Sequence, residues 1–178
     1  MRRVSPRATW VFARLGWSPN AVTVAFIVCG VAAGVVVAFG GLWSAVAAAI
    51  LIQAYLLFDC SDGELARWSG RTSATGIYLD RVGHYLGEAA LLTGLGFRAQ
   101  GHLTLSGPYV TAGLAAALKV HRIIQAVELS LLILLAAIID AIAGNLAATR
   151  VLLLACLVIA ALLVVAHLAA IVASRRLR

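Results

Sequence analysis

Residues 59–84 read DCSDGELARWSGRTSATGIYLDRVGH, and long apolar segments lie on both sides of them. On a helix, Asp59 and Asp62 are three residues apart and share one face. Asp80 and His84 are four residues apart and share a face in the same way. The serines and the glycine within residues 68–75 predict a turn between the two helices. An antiparallel pair of helices would bring the four side chains together, and that spacing predicts a metal site.

A longer pattern in this stretch, D-x-x-D-G-x-x-A-R followed after eight residues by G-x-x-x-D, resembles the signature of the CDP-alcohol phosphotransferases. That family consists of integral membrane enzymes of phospholipid synthesis. The residues in register are Asp59, Asp62, Gly63, Ala66, Arg67, Gly76 and Asp80. The family pattern usually ends in a fourth aspartate, and this chain has His84 at that position. The hydrophobic layout of the whole chain also resembles the six-helix core of the family.

The composition indicates that lipid is the main solvent of the chain. Hydrophobic residues make up 63% of it and charged residues only 12%, whereas a soluble domain is roughly 45–50% apolar. We therefore expect an all-α integral membrane protein, with residues 1–178 forming a single membrane domain. The three cysteines are dispersed through apolar segments, which indicates buried thiols and not a disulfide or zinc framework.

Charge-free runs and turn residues predict where the membrane spans lie. Residues 15–58 contain no charged side chain, and 44 helical residues would extend about 66 Å, enough for two crossings joined at Gly40 and Gly41. Ser5 and Pro6 begin an amphipathic helix that we expect to lie in the membrane interface, although a secretory signal is an alternative interpretation. The predicted elements are the interfacial helix 5–17 and six transmembrane helices at about 19–39, 42–68, 74–97, 103–122, 126–143 and 151–174.

The distribution of basic residues predicts the orientation of the chain. With a cytoplasmic N-terminus, the inner ends of the spans hold twelve of the 14 basic residues and only Arg98 and Arg150 lie outside. The positive-inside rule favours this arrangement over its inverse. We therefore expect both termini and the 59–84 site on the cytoplasmic side of the inner or plasma membrane. The basic residues have no aromatic-interleaved platform, so we expect membrane lipids as their partner and no nucleic acid.

The acidic residues of the 59–84 stretch predict a divalent cation. Carboxylates within a span are costly unless they are neutralised, and oxygen ligands at helix ends suit Mg²⁺ or Mn²⁺. A structural network of ion pairs with nearby arginines and Lys119 is the alternative. The resemblance implies a two-metal site, and the predicted ligands are Asp59, Asp62, Asp80 and His84. The resemblance also implies that position 84 supplies the catalytic base, and an imidazole can act as base or as ligand.

The resemblance further implies a nucleotide site beside the metals. Arg67 is the expected clamp on the diphosphate oxygens. Gly63, Ala66 and Gly76 lack bulk and would let a nucleotide lie against the helix backbone, although small residues also serve helix–helix packing. Asn20 at the start of the first span is a weaker candidate for nucleotide binding, with Thr23 beside it.

We therefore expect an enzyme that transfers a substituted phosphate from a CDP-alcohol, CDP-diacylglycerol by resemblance, to a hydroxyl acceptor and releases CMP. The acceptor can be phosphorylated, since Lys119, His121 and Arg122 could bind an anion; membrane anchoring of these side chains is the alternative. Three alternatives stay open. The chain could transfer a CDP-linked polar head group to a lipid alcohol, it could be a non-catalytic relative, or it could be a membrane transporter. The remaining expected partner is a second copy of the chain in a homodimer.

Overall fold

The computed structural model describes residues 5–119 and 126–175, and within them the side chains of residues 5–117, 129–166 and 169. These residues form helices and no strand, which confirms the all-helical expectation for this part of the chain. The helices are α1 (Ser5–Arg14), α2 (Pro19–Ala38), α3 (Gly41–Ser69), α4 (Ala74–Gln100), α5 (Pro108–Lys119), α6 (Ala126–Ala143) and α7 (Ala147–Arg175).

Local sequence signals set the ends of the helices that carry the site. The Ser18 side chain caps α2 by accepting a hydrogen bond from Ala21 N at 3.2 Å, directly before the proline that begins the helix. Gly40 and Gly41 have φ values of 73° and 76°, a left-handed conformation that favours glycine and makes the predicted turn between α2 and α3.

A short connection reverses the chain between α3 and α4. Gly70 ends α3 with φ 66°, and its backbone N–H caps the last turn. Ser73 begins α4 and accepts a hydrogen bond from Gly76 N at 3.0 Å. Because only residues 70–73 separate the two helices, the end of α3 lies beside the start of α4. This is the antiparallel pair that the spacing of the acidic residues requires.

Helices α2 and α4 pack closely because glycines lie at their contact. A Cβ atom built on Gly94 would lie 2.1 Å from the carbonyl oxygen of Gly34, and one on Gly83 would lie 2.2 Å from Cζ of Phe26. Only residues without a side chain allow the two backbones to approach to this distance. The core beside this contact contains Phe26, Tyr55 and Leu91.

Three of the described helical segments are long and apolar enough to cross a membrane: Pro19–Ala38, Gly41–Ser69 and Ala147–Ala166. Helix α4 carries charged residues along its length, and α5 begins at Pro108, five residues after the expected start of the fourth span. The last helix begins at Ala147, four residues before the expected start of its span. The arrangement of six spans stays a prediction.

A buried polar network holds the end of α4 against the starts of α3 and α7. Asp140 accepts hydrogen bonds from Ala148 N (2.8 Å) and Thr149 N (3.1 Å), so it caps the first turn of α7. Arg98 donates to Thr149 Oγ1 (3.2 Å) and to Gly41 O (2.9 Å). The Thr149 hydroxyl in turn donates to Asp140. Asp140 and Arg98 are both buried, so Arg98 does not face water.

Candidate metal and nucleotide site

Three side chains from α3 and α4 converge where the two helices run side by side. His84 Nε2 lies 3.2 Å from Asp59 Oδ1 and 3.5 Å from Asp80 Oδ1. One ligand atom from each of the three residues lies within 4.8 Å of the other two. All three residues are half-buried, so the cluster is partly enclosed and still accessible to a ligand.

The donor atoms of this cluster fit a divalent cation. Ligands bound at about 2.0–2.2 Å in tetrahedral or octahedral geometry lie about 2.9–3.6 Å from one another. The separations of 3.2 and 3.5 Å from His84 Nε2 to the two carboxylates fall within this interval. Among the described residues, the ion pairs at Asp59 and Asp80 involve His84 and no arginine. The cluster therefore resembles a ligand set more than the alternative network of arginine ion pairs.

Asp62 lies apart from these three ligand atoms. Its side chain is buried, with 7% relative exposure, and Oδ2 accepts a hydrogen bond of 2.7 Å from Thr23 Oγ1 on α2. The sequence predicted four ligands in one group, and the structure brings three of them together. Asp62 belongs instead to the wall of the adjoining cavity, between α3 and α2.

A cavity of about 290 Å³ adjoins the cluster, at the ends of α2, α3 and α4. Its walls include every residue predicted to bind the nucleotide: Asn20, Gly63, Ala66, Arg67 and Gly76. Asp59, Asp62 and Asp80 also line it, whereas His84 does not. The motif residues are thus parts of one concave surface with carboxylates on one side and a guanidinium on another.

The two motif glycines keep this cavity open. A Cβ atom on Gly76 would lie 3.1 Å from Asn20 Oδ1 and 3.2 Å from Ser73 Oγ. One on Gly63 would lie 3.3 Å from Nη1 of Arg67. In both cases the neighbours are polar side-chain atoms that line the cavity, so an added methyl group would displace groups that could otherwise contact a ligand.

Tyr55 is a residue of the site that sequence reasoning missed. Its hydroxyl lies 2.7 Å from Nδ1 of His84, and the side chain is buried with 1% relative exposure. The ring packs against Phe26 with a centroid distance of 5.0 Å in an edge-to-face arrangement. The available signal was its position four residues before Asp59, on the same face of α3.

Glu64, an acidic residue of the 59–84 stretch, forms a contact outside the metal cluster. Glu64 is half-buried, and its Oε2 accepts a hydrogen bond of 2.8 Å from Thr9 Oγ1. This bond joins α1 to α3. The anion site predicted at Lys119, His121 and Arg122 lies outside the described side chains.

A comparison with protein families finds a match that spans the site residues. The family model for CDP-alcohol phosphatidyltransferase matches residues 17–175, which is most of the chain. A search of curated proteins finds no match. The matched range contains α2 to α7, so it covers the cluster, the cavity and Tyr55.

Proposed function

The chain belongs to the CDP-alcohol phosphatidyltransferase family, and from this membership and the site we propose that it transfers a substituted phosphate from CDP-diacylglycerol to a hydroxyl acceptor. The observation that carries the proposal is the convergence of Asp59, Asp80 and His84 beside a cavity lined by the remaining motif residues. A carboxylate-rich cluster next to a small-residue wall and an arginine suits a diphosphate and the cations that accompany it.

The reaction is a displacement at phosphorus. The acceptor oxygen forms a bond to the phosphorus that carries the lipid alcohol, and the bond from that phosphorus to the bridging diphosphate oxygen breaks. CMP leaves with the electron pair of the broken bond, and the acceptor hydroxyl gives its proton to a basic group of the cluster. No other reactant is required.

The residues of the chain bind and orient the donor in this proposal. Arg67 contacts the diphosphate oxygens with its planar guanidinium, and Gly63, Ala66 and Gly76 let the nucleotide lie against the backbones of α3 and α4. Asp59, Asp80 and His84 would hold Mg²⁺ or Mn²⁺, with Asp62 completing the second position of a two-metal site. When bound, such cations neutralise the charge that develops on the leaving group.

The surroundings of the site are consistent with a lipid donor at a membrane surface. The family is a membrane family, and three described helical segments are long and apolar enough to span the bilayer. We propose a single membrane domain of six spans with α1 in the interface, both termini in the cytoplasm and a homodimeric assembly. Exposed arginines at the site end of the helices, Arg14, Arg67, Arg71 and Arg81, support the cytoplasmic assignment.

A transfer assay tests this proposal directly. Purified protein in lipid nanodiscs is incubated with CDP-diacylglycerol labelled in the lipid, a panel of plain and phosphorylated polyols, and Mg²⁺ or Mn²⁺. We expect CMP release that depends on an acceptor and on the cation, together with a labelled lipid product. Excess EDTA should stop the reaction, and restoring the cation should recover it.

Two variants of α3 make this assay specific to the cluster. Asp59→Asn should reduce transfer to the protein-free background because it removes a charged ligand from the cluster. Glu64→Gln is the matched control, since Glu64 lies on the same helix outside the cluster and a glutamine can still accept the Thr9 hydrogen bond. Full transfer in EDTA would refute metal dependence. A parallel assay supplies a CDP-linked polar alcohol with diacylglycerol. Transfer in that assay alone would replace the donor assignment, and absence of CMP release in both assays would refute the proposed enzyme activity.

A further inference from the structure

We propose that His84 makes the Asp59–Asp80–His84 site selective for a first-row transition metal ion, such as Mn²⁺ or Co²⁺, over Mg²⁺. The inference rests on the metal site of the proposed function and adds the class of ion and the ligand atom. It also assigns His84 as a metal ligand and not as the base.

The two ring nitrogens of His84 have different surroundings. Nδ1 lies 2.7 Å from the Tyr55 hydroxyl, and Nε2 lies 3.2 Å from Asp59 Oδ1 and 3.5 Å from Asp80 Oδ1. If Nδ1 carries the proton, it donates to the tyrosine oxygen and the Nε2 lone pair is directed at the space between the two carboxylates. A lone pair that faces two carboxylates needs a proton or a metal ion between them, and metal-bound histidines commonly donate their other N–H to a neighbouring acceptor.

Tyr55 is held rigidly in the position that this arrangement needs. Its ring is packed edge-to-face on Phe26. Cβ atoms built on Gly30 and Gly87 would lie 2.9 and 3.1 Å from the tyrosine ring, so the backbones of α2 and α4 enclose it. A hydrogen-bond partner of the ligand that is fixed by packing in this way orients the ligand before the metal binds.

The imidazole changes the metal preference that carboxylates alone would give. Mg²⁺ takes oxygen ligands and retains its waters, whereas imidazole suits later first-row ions. With one nitrogen among three protein ligands, the site gains affinity for Mn²⁺ and Co²⁺ relative to Mg²⁺, and Co²⁺ should bind more tightly than Mn²⁺. A cluster of three carboxylates would have no nitrogen ligand and would not show this preference.

A bound cation also removes His84 from acid–base chemistry. Nε2 has a single lone pair, so it cannot bind the metal and accept the proton of the acceptor at the same time. His84 is absent from the walls of the cavity, whereas Asp59 and Asp80 line it. The acceptor's proton therefore goes to a carboxylate, and His84 acts through the metal.

Metal binding to the purified, metal-free full chain in detergent tests the selectivity. Bound Mn²⁺ is measured by electron paramagnetic resonance, and increasing Mg²⁺ or Co²⁺ is used to displace it. In the wild type, displacement should need at least roughly tenfold more Mg²⁺ than Mn²⁺, and Co²⁺ should displace Mn²⁺ at lower concentration. Electron spin echo modulation should show a directly coordinated imidazole nitrogen on the bound Mn²⁺.

Two variants make the assignment specific. His84→Asp should lose the nitrogen modulation and shift the Mg²⁺/Mn²⁺ ratio toward Mg²⁺ by roughly tenfold. Tyr55→Phe keeps the ring and the ligand, so the modulation should persist while Mn²⁺ affinity falls by about 10–100-fold. The wild-type spectrum alone decides whether nitrogen is bound, even if His84→Asp does not fold.

Absence of nitrogen modulation in the wild type, or equal Mg²⁺/Mn²⁺ ratios in the wild type and His84→Asp, would overturn the inference. These measurements contain no CDP-alcohol, so their outcome is separate from that of the transfer assay. Selective, nitrogen-coupled binding in a protein that transfers nothing would support this inference and refute the proposed function.

Discussion

Asp62 shows how a single motif residue depends on a partner that is distant in sequence. The carboxylate is buried, and the residue that donates a hydrogen bond to it, Thr23, lies 39 residues earlier on α2. Thr23 also donates to the carbonyl of Pro19 one turn back, at 3.1 Å. The hydroxyl therefore fixes a buried acceptor against α2 at the edge of the cavity, and loss of this hydroxyl would leave that acceptor without its donor.

We expect Thr23→Val to destabilise the metal-free protein. Valine has the same shape but no hydroxyl, so the Asp62 oxygen loses a hydrogen bond, and loss of a bond to a charged group costs about 1.5–3 kcal/mol. The free energy of unfolding, measured by denaturant titration in detergent, should fall by that amount. Thr23→Ser keeps the donor and serves as control. Equal stability of the valine and serine variants would show that this bond contributes nothing.

Helix contacts position the site more than helix propensity does. The turn at Gly70 brings α3 and α4 together. The distance between α2 and α4 depends instead on the glycines where those two helices meet. At Gly94 the nearest atom to an added Cβ is a backbone oxygen, which cannot rotate away. At Gly76 the nearest atoms belong to side chains, which can.

These surroundings predict opposite effects for two glycine substitutions in α4. Gly94→Ala should force α2 and α4 apart and lower the free energy of unfolding by about 1–3 kcal/mol, the usual cost of overpacking. Gly76→Ala should keep or slightly raise stability, because alanine favours helix by about 1 kcal/mol, while CDP-alcohol turnover falls as the cavity narrows. Thermal unfolding and the transfer assay measure the two effects. The reverse pattern would contradict the packing argument.

The buried network at the far end of α4 predicts a stability effect without an effect on metal binding. Arg98→Met removes the donor to Gly41 O and Thr149, and loss of one member of a buried charged network costs about 3 kcal/mol. Arg150→Met is the control, because Arg150 also donates to a backbone carbonyl, Ala99 O at 3.0 Å, but is exposed, so its loss should cost only about 1 kcal/mol. Denaturant titration measures both. Similar losses in the two variants would show that burial of Arg98 does not strengthen the network.

At the scale of the whole molecule, α3 extends between two cavities that lie at its opposite ends. Gly41 at its start shares a cavity with Asn145, and Arg67 at its end lines the candidate nucleotide site. About 27 Å of helix separates Gly41 from Asp59, which is close to the thickness of a bilayer core. A span of this length would place the metal cluster near one membrane surface and Asn145 near the other.

Cysteine labelling tests this placement. In a background with the native cysteines replaced, Ser69→Cys should react with an impermeant maleimide only from the cytoplasmic side, and Asn145→Cys only from outside. Both positions are exposed, so access to the reagent depends on the membrane and not on burial. Permeabilised cells provide the control for reactivity. Labelling of Ser69→Cys from outside would contradict the proposed orientation.

The sequence alone determined the local features of the protein. The spacing of Asp59, Asp80 and His84 places them on the facing ends of two helices, since the period of an α-helix is set by its backbone hydrogen bonds. The caps at Ser18 and Ser73 and the left-handed glycine at Gly70 follow equally from the preferences of single residues. The motif register also led to the family that the comparison supports.

The tertiary structure decided which helix faces meet. Packing between helices that are distant in sequence determines three features of the site and core. They are the separation of Asp62 from the other predicted ligands, the contact of the Tyr55 hydroxyl with His84 Nδ1, and the burial of Arg98. Periodicity identifies the residues that share a face of one helix, but it does not specify the rotation of that helix against its neighbours. In this protein the rotation depends on the positions of the glycines between α2 and α4. The two backbones can approach closely only where no side chain lies between them.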